Sequence, residues 1–572
     1  MFIYHSMKYK LKVDDRNYET WTTHDPHSLE SAEISIDPVR EKLFDQDIFE
    51  YDNGKLTLCH SSVRQMVNIP GVLVLSGNKT YGSSKKGAYF YKCIPDDRRL
   101  PIFIISHRVK IEFQKNQVNK YIIFKFLHWK EKHPKGTIVQ VLGTVDKLDS
   151  FYEYQLYCKS LYASIQTFTK KTMFALKNRS EQCYIDMILR KYAIEDRRDR
   201  EIITIDPANS KDYDDAFGIT SLAERSVCIS IYISNVSLWM DIMDLWTSFS
   251  QRIATIYLPD RRRPMLPTIL SDALCSLQEK CSRFAFTLDI YINRETCEIE
   301  RTEYVNTCIC VERNFGYEDK DLNGNKVYRS ALTLIKGLNR VRKYVEKVND
   351  SHDVIAYLMI LMNFLSAQEL QKHKTGLFRS VVMRQKEDMP EHIPDSVKKF
   401  LKGWMSSGGK YVSYENIEGH ALLDMKAYVH IKSPIRRLVD LLNMLNLQDK
   451  LGICSYSGAS RTFYDKWTNS LDYINRTMRS IRKVQNDSSL LHMCFNNPDR
   501  LKQQYSGFVF ERIERNDGLY QYLVYLPDLK IMNRITTRHS LANRAMYNFK
   551  IYLFMDEDRL KQKIRLEYIA SV

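Results

Sequence analysis

No C-x-x-C pair occurs in this chain: its twelve cysteines are scattered, and the closest two, Cys308 and Cys310, have one residue between them. A zinc ribbon and a disulfide framework are thereby excluded as organising devices. Long hydrophobic runs are missing as well. The longest, Val354 to Ala367, is too short to span a bilayer and contains Asn363. No secretory leader is visible at the N-terminus, so the expectation is a soluble, intracellular protein without a membrane partner. Excess negative charge is confined to the first 60 residues, where twelve Asp and Glu stand against seven Lys and Arg, while the whole chain carries +16. A basic body suits a polyanionic substrate, or simply a solvated lysine-rich surface.

What is present is centred on Thr204 to Ile219, TIDPANSKDYDDAFGI. It places Asp206, Asp212, Asp214 and Asp215 within ten residues, between the β-branched run Ile202, Ile203, Ile205 and the apolar Ala216, Phe217, Ile219. The pattern predicts an acidic loop between two strands. Two unit charges about 4 Å apart repel by about 4 kcal/mol at an effective dielectric of about 20, so converging carboxylates need a counter-charge. Mg²⁺ takes oxygen ligands and completes its shell with water and substrate phosphates, which points to phosphodiester cleavage. A solvated acidic loop gives the same pattern. A calcium loop fits less well, because from Asp212 the sequence lacks the glycine at position six and the glutamate at position twelve.

At 572 residues there is room for three or four domains. Residues 1 to about 65 read as an N-terminal extension or small cap. From about Gly71 to Leu161 short strands alternate with turns, and basic and aromatic residues interleave at Tyr81, Lys85, Lys86, Tyr89, Tyr91 and Lys92. One or two oligonucleotide-binding barrels fit this pattern, as does a β domain without a ligand. Ala193 to Glu201 reads as a solvated connector, and Val227 to Val236 as a period-two strand. In Ile256 to Leu277 three prolines forbid a helix around Tyr257 and the triplet Arg261, Arg262, Arg263, an ordered loop facing nucleic acid or a solvated basic turn. A helix carrying Leu438, Leu441, Leu442 and Leu445 follows Ser433-Pro434, with Arg436 and Arg437 expected in its first turn, placed for a phosphate or for surface ion pairs. Strand-like sequence returns from Tyr505.

These motifs together resemble the ribonuclease II or RNB family of hydrolytic 3′-to-5′ exoribonucleases. TIDPANSKDYDDAFGI is similar to the family's acidic signature, and YISNVS (232 to 237) to its next strand. YLPDRRRPMLPTILSDALCSL (257 to 277) resembles its proline-rich loop, GLFRS (376 to 380) a later turn, and KSPIRR (432 to 437) its arginine motif. IPDDRRLP (94 to 101) and HWKEKHPKGTIVQVLG (128 to 143) resemble its second cold-shock barrel. The resemblance implies an α+β multidomain fold: an extension (1–65), a cold-shock/OB-type β-barrel module (66–165), a central α/β RNB catalytic domain (166–497) and a degenerate OB-type β module (498–572). It implies Mg²⁺, with Mn²⁺ as a substitute, held by Asp206, Asp212 and Asp215; catalysis by Asp214 and Arg436; and RNA contacts from Tyr257, Arg261, Arg437 and Phe378. The implied partner is single-stranded RNA, degraded by a monomer to nucleoside 5′-monophosphates. Some members keep the fold, lose the acids and act as silent RNA-binding regulators; retention of all four aspartates and Arg436 argues against that here. Departures from the pattern are Tyr232 and Asn235, where the family usually has His and Asp, and Lys432, where it has Thr.

Overall fold

The computed structural model describes residues 7–52, 54–84, 87–108, 117–222, 225–383, 393–405, 408–455, 457–557 and 560–569, so Lys85 and Lys86 of the basic-aromatic stretch lie outside the described residues. The chain divides into two compact units, one of residues 1–162, 258–260 and 483–572, the other of residues 163–257 and 261–482.

In the first unit the acidic N-terminal segment forms an antiparallel sheet, in the order Trp21–His24, Lys8–Val13, Ile48–Asp52, Lys55–His60. Leu11, Val13, Phe44 and Phe49 of this segment share a core with Phe103, Ile122 and Phe124. Those last residues belong to a single closed five-stranded barrel: Ile69–Leu73, Tyr89–Pro95, Phe103–His107, Lys135–Thr144 and Lys120–His128. Closure draws the backbones together at Gly71, where an added Cβ would meet Cys93 Sγ at 2.8 Å and Phe124 Cε1 at 2.9 Å. Gly71→Ala is therefore expected to cost about 1–3 kcal/mol by overpacking, read as a lower thermal midpoint of the unit that contains the barrel.

The strand pattern read through Leu161 ends earlier than expected. Leu148–Cys158 is an α-helix, and Tyr154 on it is fully buried and stacks on Tyr121 at 4.3 Å. Its aromatic content suggested a strand, and packing against the barrel decided otherwise. The C-terminal module is a five-stranded antiparallel sheet, in the order Ile531–Thr537, Tyr520–Leu526, Gln504–Glu514, Ala545–Asp556, Lys561–Tyr568. It curls into a half-barrel, Asn533 Nδ2 of one outer strand donating to the Ile564 carbonyl of the other at 3.4 Å.

The second unit is built on a seven-stranded sheet in the order Glu195–Arg197, Ile299–Cys310, Ser282–Asn293, Ser226–Ser234, Asp215–Ser221, Ile202–Asp206, Arg313–Gly316. Alternation along Ser226–Ser234 sends Val227, Ile229, Ile231 and Ile233 into a core with the helices Lys326–Val341 and Ser351–Lys372. The intervening side chains, Ser230, Tyr232 and Ser234, are buried on the other face. The helix Ser351–Lys372, which carries the longest apolar run, is long and apolar enough by composition to cross a membrane; it lies largely buried in this core. Its Asn363 donates to Tyr428 Oη at 2.9 Å and accepts from the Ile431 N–H at 3.1 Å.

The segment expected to be a solvated connector contains the edge strand Glu195–Arg197, parallel to Ile299–Cys310. Arg197 is buried and makes a bidentate pair with buried Asp289, Nη1 to Oδ1 at 2.8 Å and Nη2 to Oδ2 at 2.6 Å. Only Arg197 leaves solvent; Glu195, Asp196, Arg198, Asp199 and Glu201 stay exposed, as expected of a solvated segment.

Candidate active site

The strand Ile202–Asp206 delivers Asp206 at its C-terminal end, and the strand Asp215–Ser221 begins at Asp215, so the two carboxylates stand at one end of neighbouring strands. The loop between them is clamped rather than free. Ser276 Oγ donates to the Lys211 carbonyl (2.8 Å) and accepts from the Tyr213 N–H (3.0 Å), while the Leu277 N–H donates to the Tyr213 carbonyl (3.0 Å). The Ser234 N–H holds the Asp214 carbonyl at 2.8 Å.

Asp214 is buried, and its carboxylate is met from the segment Ser433 to Arg437. Its Oδ1 accepts from the Ile435 N–H at 2.9 Å and its Oδ2 from Arg436 Nε at 3.0 Å. Arg436 Nη2 also donates to Ser433 Oγ at 3.1 Å. Burial works against the Arg436 charge, but Asp214 together with Tyr257, Asp215 and Asp440 outweighs it and holds the guanidinium above its ordinary value. Both arginines precede the helix, which spans Leu438–Lys450 with Arg437 at its N-cap. The expected first-turn placement is therefore off by one or two residues, because Ser433 to Leu438 runs alongside Ile253 to Thr255 through Leu438 N–H to Ile253 O (2.9 Å) and Thr255 N–H to Arg436 O (3.0 Å).

Asp212 is held by the proline-rich loop. Tyr257 and Arg262 are register partners in a two-residue antiparallel ladder. Tyr257 Oη donates to Asp212 Oδ2 at 3.0 Å, and Arg262 Nη1 lies 2.8 Å from Asp212 Oδ1. Arg262 reaches Asp272 with its other nitrogen. Tyr257 remains 40% exposed, so its ring is available for stacking.

Asp206 and Asp215 differ from the other two. Asp206 Oδ2 is buried with no hydrogen-bond partner among the described residues. Burial, with Asp215 and Asp214 adding to it, pushes the Asp206 carboxyl well above the usual range. Asp214 is pushed up to about 7 by burial, with Arg436 opposing. Among the described residues no group of three His, Cys, Asp or Glu forms a ready metal cage. An orphaned buried oxygen beside a second carboxylate is nonetheless the arrangement a hard cation relieves, and Mg²⁺ is commonly bound by one or two carboxylates with waters and phosphates completing its shell. The donor set fits such an ion on Asp206 and Asp215; Asp212 and Asp214 already have arginine partners.

The structure thus brings together Asp206, Asp212, Asp214, Asp215, Tyr257 and Arg436. Phe378 is fully buried on the strand Leu377–Ser380, bridged to Val429 and packed in the main core. Arg437 turns to Asp440, Nη2 to Oδ1 at 2.8 Å. Arg261 is exposed on the loop.

Three residues near the acids were missed by sequence reasoning. Asp272 anchors Arg262; Tyr317, whose N–H donates to the Asp206 carbonyl at 3.2 Å, is pushed up to about 12 by burial and by Asp215; half-buried Lys432 lies within electrostatic reach of Asp215. Only Lys432 had a signal, its departure from the arginine motif. Asn235, another departure, is buried in an amide network, donating to Asn306 Oδ1 at 2.8 Å and Gln448 Oε1 at 3.1 Å.

Residues 194–343 match the RNB domain, and residues 90–153 the Dis3-like cold-shock domain 2. Ribonuclease R of Buchnera aphidicola (subsp. Schizaphis graminum) is 25% identical over 429 residues, 61% of this chain and 57% of that protein. The human exosome complex exonuclease RRP44 is 24% identical over 343 residues, 58% of this chain and 33% of that protein. The chain thus spans a third to somewhat more than half the length of these curated relatives. Among solved structures, Mycoplasma genitalium RNase R in complex with ribose-methylated single-stranded RNA superposes with a TM-score of 0.68 at 16% identity, covering 98% of this chain and 100% of that one. Yeast Ssd1, a pseudonuclease, does so with a TM-score of 0.58 at 12% identity, covering 95% and 80%. At these identities the superpositions speak for the fold, and the sequence matches for the lineage: the chain carries an RNB domain with a Dis3-like cold-shock domain and is a relative of the RNB-family ribonucleases.

Proposed function

We propose that this protein is a hydrolytic, divalent-metal-dependent exoribonuclease that degrades single-stranded RNA from its 3′ end to nucleoside 5′-monophosphates, with Mg²⁺ as the working ion. The observation that carries this reading is the unpartnered, buried Asp206 Oδ2 beside Asp215, at the same strand ends as the Asp214–Arg436 pair. An ion on Asp206 and Asp215 would supply a nucleophilic water and neutralise charge at the scissile phosphate. Arg436, positioned by Asp214 and Ser433, would stabilise charge developing on that phosphate. Tyr257, fixed through its hydroxyl to Asp212, would stack its ring on a terminal base and set how short the last product is. Product analysis tests the reading: 5′-monophosphates that disappear with EDTA support it, and 3′-phosphates or cyclic phosphates contradict it.

A second reading is an RNA-binding regulator without turnover. It is favoured by the arginine partners already on Asp212 and Asp214 and by the absence, among the described residues, of a three-carboxylate cage. Persistent RNA binding with no product in Mg²⁺ or Mn²⁺ would select it.

Two further results are expected. Tyr257→Ala should lengthen the limit product by about one to two nucleotides, seen on a sequencing gel, with little change in the initial rate, because one stacking contact is worth about 1–3 kcal/mol. An unchanged limit product would remove Tyr257 from this role.

The Mg²⁺ concentration giving half-maximal activity should fall as pH rises from 6 to 8. Protons compete with the ion for Asp206, whose carboxyl is pushed up to about 8 by burial and by Asp215, and the neighbouring Asp214 is raised to about 7. Unfolded carboxyls ionise near pH 3.9, so the native metal-free protein binds the extra protons. Its stability should therefore decline as pH rises from about 4 through 7. A pH-independent ion requirement would contradict this assignment.

A further inference from the structure

Along the strand Asp215–Ser221, from Gly218 to Ser221 and therefore about 10 to 20 Å from Asp215, the RNB sheet opens into a groove of about 1070 Å³. The neighbouring strand Ile202–Asp206 pairs only with Phe217 and Gly218, so the groove starts where that ladder stops. One wall is the solvent face of the helix Lys326–Val341. Its other face, Val327, Ala331, Ile335 and Leu338, is buried in the core, which directs Lys326, Arg329, Lys336 and Arg340 outward. Arg200 and Arg294 add two cations from the opposite side, and the lining contains one carboxylate, Glu201.

These charges are not neutralised locally. Lys326, Arg329, Lys336 and Arg340 make no ion pair among the described residues. Arg200 meets Glu195 at 3.2 Å, and Arg294 is held by Ser221 Oγ at 2.5 Å, an uncharged acceptor. Cations three and four residues apart on one helix face repel each other and work against the helix, so an anion in the groove would be stabilising. The close fit of helix to turn is itself built in: a Cβ on Gly337 would overlap Cys297 Sγ.

We propose that this groove is a second RNA-binding site, remote from the four aspartates, that grips the sugar-phosphate backbone of single-stranded RNA without reading its sequence. The outermost helical cations, Lys326 and Arg340, lie 14 positions and about 21 Å apart, which is too long for one mononucleotide and matches a chain carrying a charge at every link. Guanidinium forks on Arg329 and Arg340 suit phosphate oxygens, and the hydroxyls of Thr220, Ser330 and Thr333 line the same groove. An acidic protein segment would need an unbroken run of carboxylates to match the row. This site is independent of whether the aspartates hydrolyse RNA.

The test compares the wild-type chain with the variant Arg329→Gln/Lys336→Gln/Arg340→Gln, whose three positions are exposed. Fluorescent 30-nucleotide oligouridylate is titrated in EDTA at several salt concentrations. The triple variant should bind about tenfold more weakly and lose about 2 units of the log–log salt slope, at ~0.7 per phosphate contact on a single strand. The charge-preserving variant Arg329→Lys/Lys336→Arg/Arg340→Lys should keep the wild-type salt slope and bind more tightly than the triple Gln variant, which separates lost charge from lost folding. Hydrolysis of a five-nucleotide oligomer should be equal in all three proteins. An unchanged affinity and slope would overturn the proposal. So would a polyglutamate peptide that binds the wild type and not the triple variant while RNA affinity stays the same, which would assign the groove to an acidic protein.

Discussion

Asp214→Asn is expected to lower RNA hydrolysis by about 10³-fold or more while leaving RNA binding nearly intact. The reason lies in how the carboxylate is held. It is fully buried, and its two oxygens take the Ile435 N–H at 2.9 Å and Arg436 Nε at 3.0 Å. An asparagine keeps one carbonyl acceptor but turns an amide N–H toward one of these donors and leaves Arg436 without its counter-charge. The guanidinium then loses the orientation proposed for its contact with the scissile phosphate. The fold should survive, because a buried amide costs less to desolvate than a buried carboxylate. A variant that binds RNA with wild-type affinity and does not turn over meets the expectation; one retaining a tenth of the activity would show that Asp214 is a structural anchor only.

The largest stability effect is expected at Asp289. Its carboxylate pairs with both guanidinium nitrogens of Arg197, at 2.8 and 2.6 Å, and accepts from Ser230 Oγ at 2.6 Å, all inside the RNB sheet. The two side chains are 4% and 3% exposed, so solvent cannot replace a lost partner. Asp289→Ala leaves the buried arginine, among the described residues, with Glu195 as its one paired carboxylate, which is itself 43% exposed. Breaking a buried pair from one side costs about 3–5 kcal/mol, whereas replacing both partners with apolar groups of similar size can be nearly neutral. The expected result is a fall of about 10 °C in the melting midpoint of the unit that contains the sheet. Arg197→Met combined with Asp289→Leu should recover much of it. A single variant that melts within 2 °C of wild type would contradict the account.

These two sites show where sequence reasoning succeeds and where it fails. The acidic loop was legible because strand formers bracket it, and its use was legible only together with the arginine motif and the proline-rich loop, since four aspartates alone also fit a solvated loop. The pairing of Asp214 with Arg436 was not legible as geometry: 222 positions separate them, and only the fold closes that distance. The barrel was legible from its alternation and the helix Leu148–Cys158 was not, since its tyrosines and phenylalanine are equally at home in a strand. Arg197 was misplaced for a related reason. In AIEDRRDRE every charge looks solvated, and nothing local tells which one a distant aspartate will bury. Phe378 was taken from a motif position whose side chain faces the core, which a motif does not reveal.

The central claim is that the aspartate cluster hydrolyses RNA from the 3′ end with a divalent ion. The most direct test uses 5′-labelled single-stranded RNA with the purified protein in Mg²⁺ and in EDTA, and Asp214→Asn in parallel. A ladder shortening to a small 5′ core, absent in EDTA and in the variant, is the predicted result. Intact RNA that stays bound in both Mg²⁺ and Mn²⁺ would contradict it and leave an RNA-binding protein without turnover.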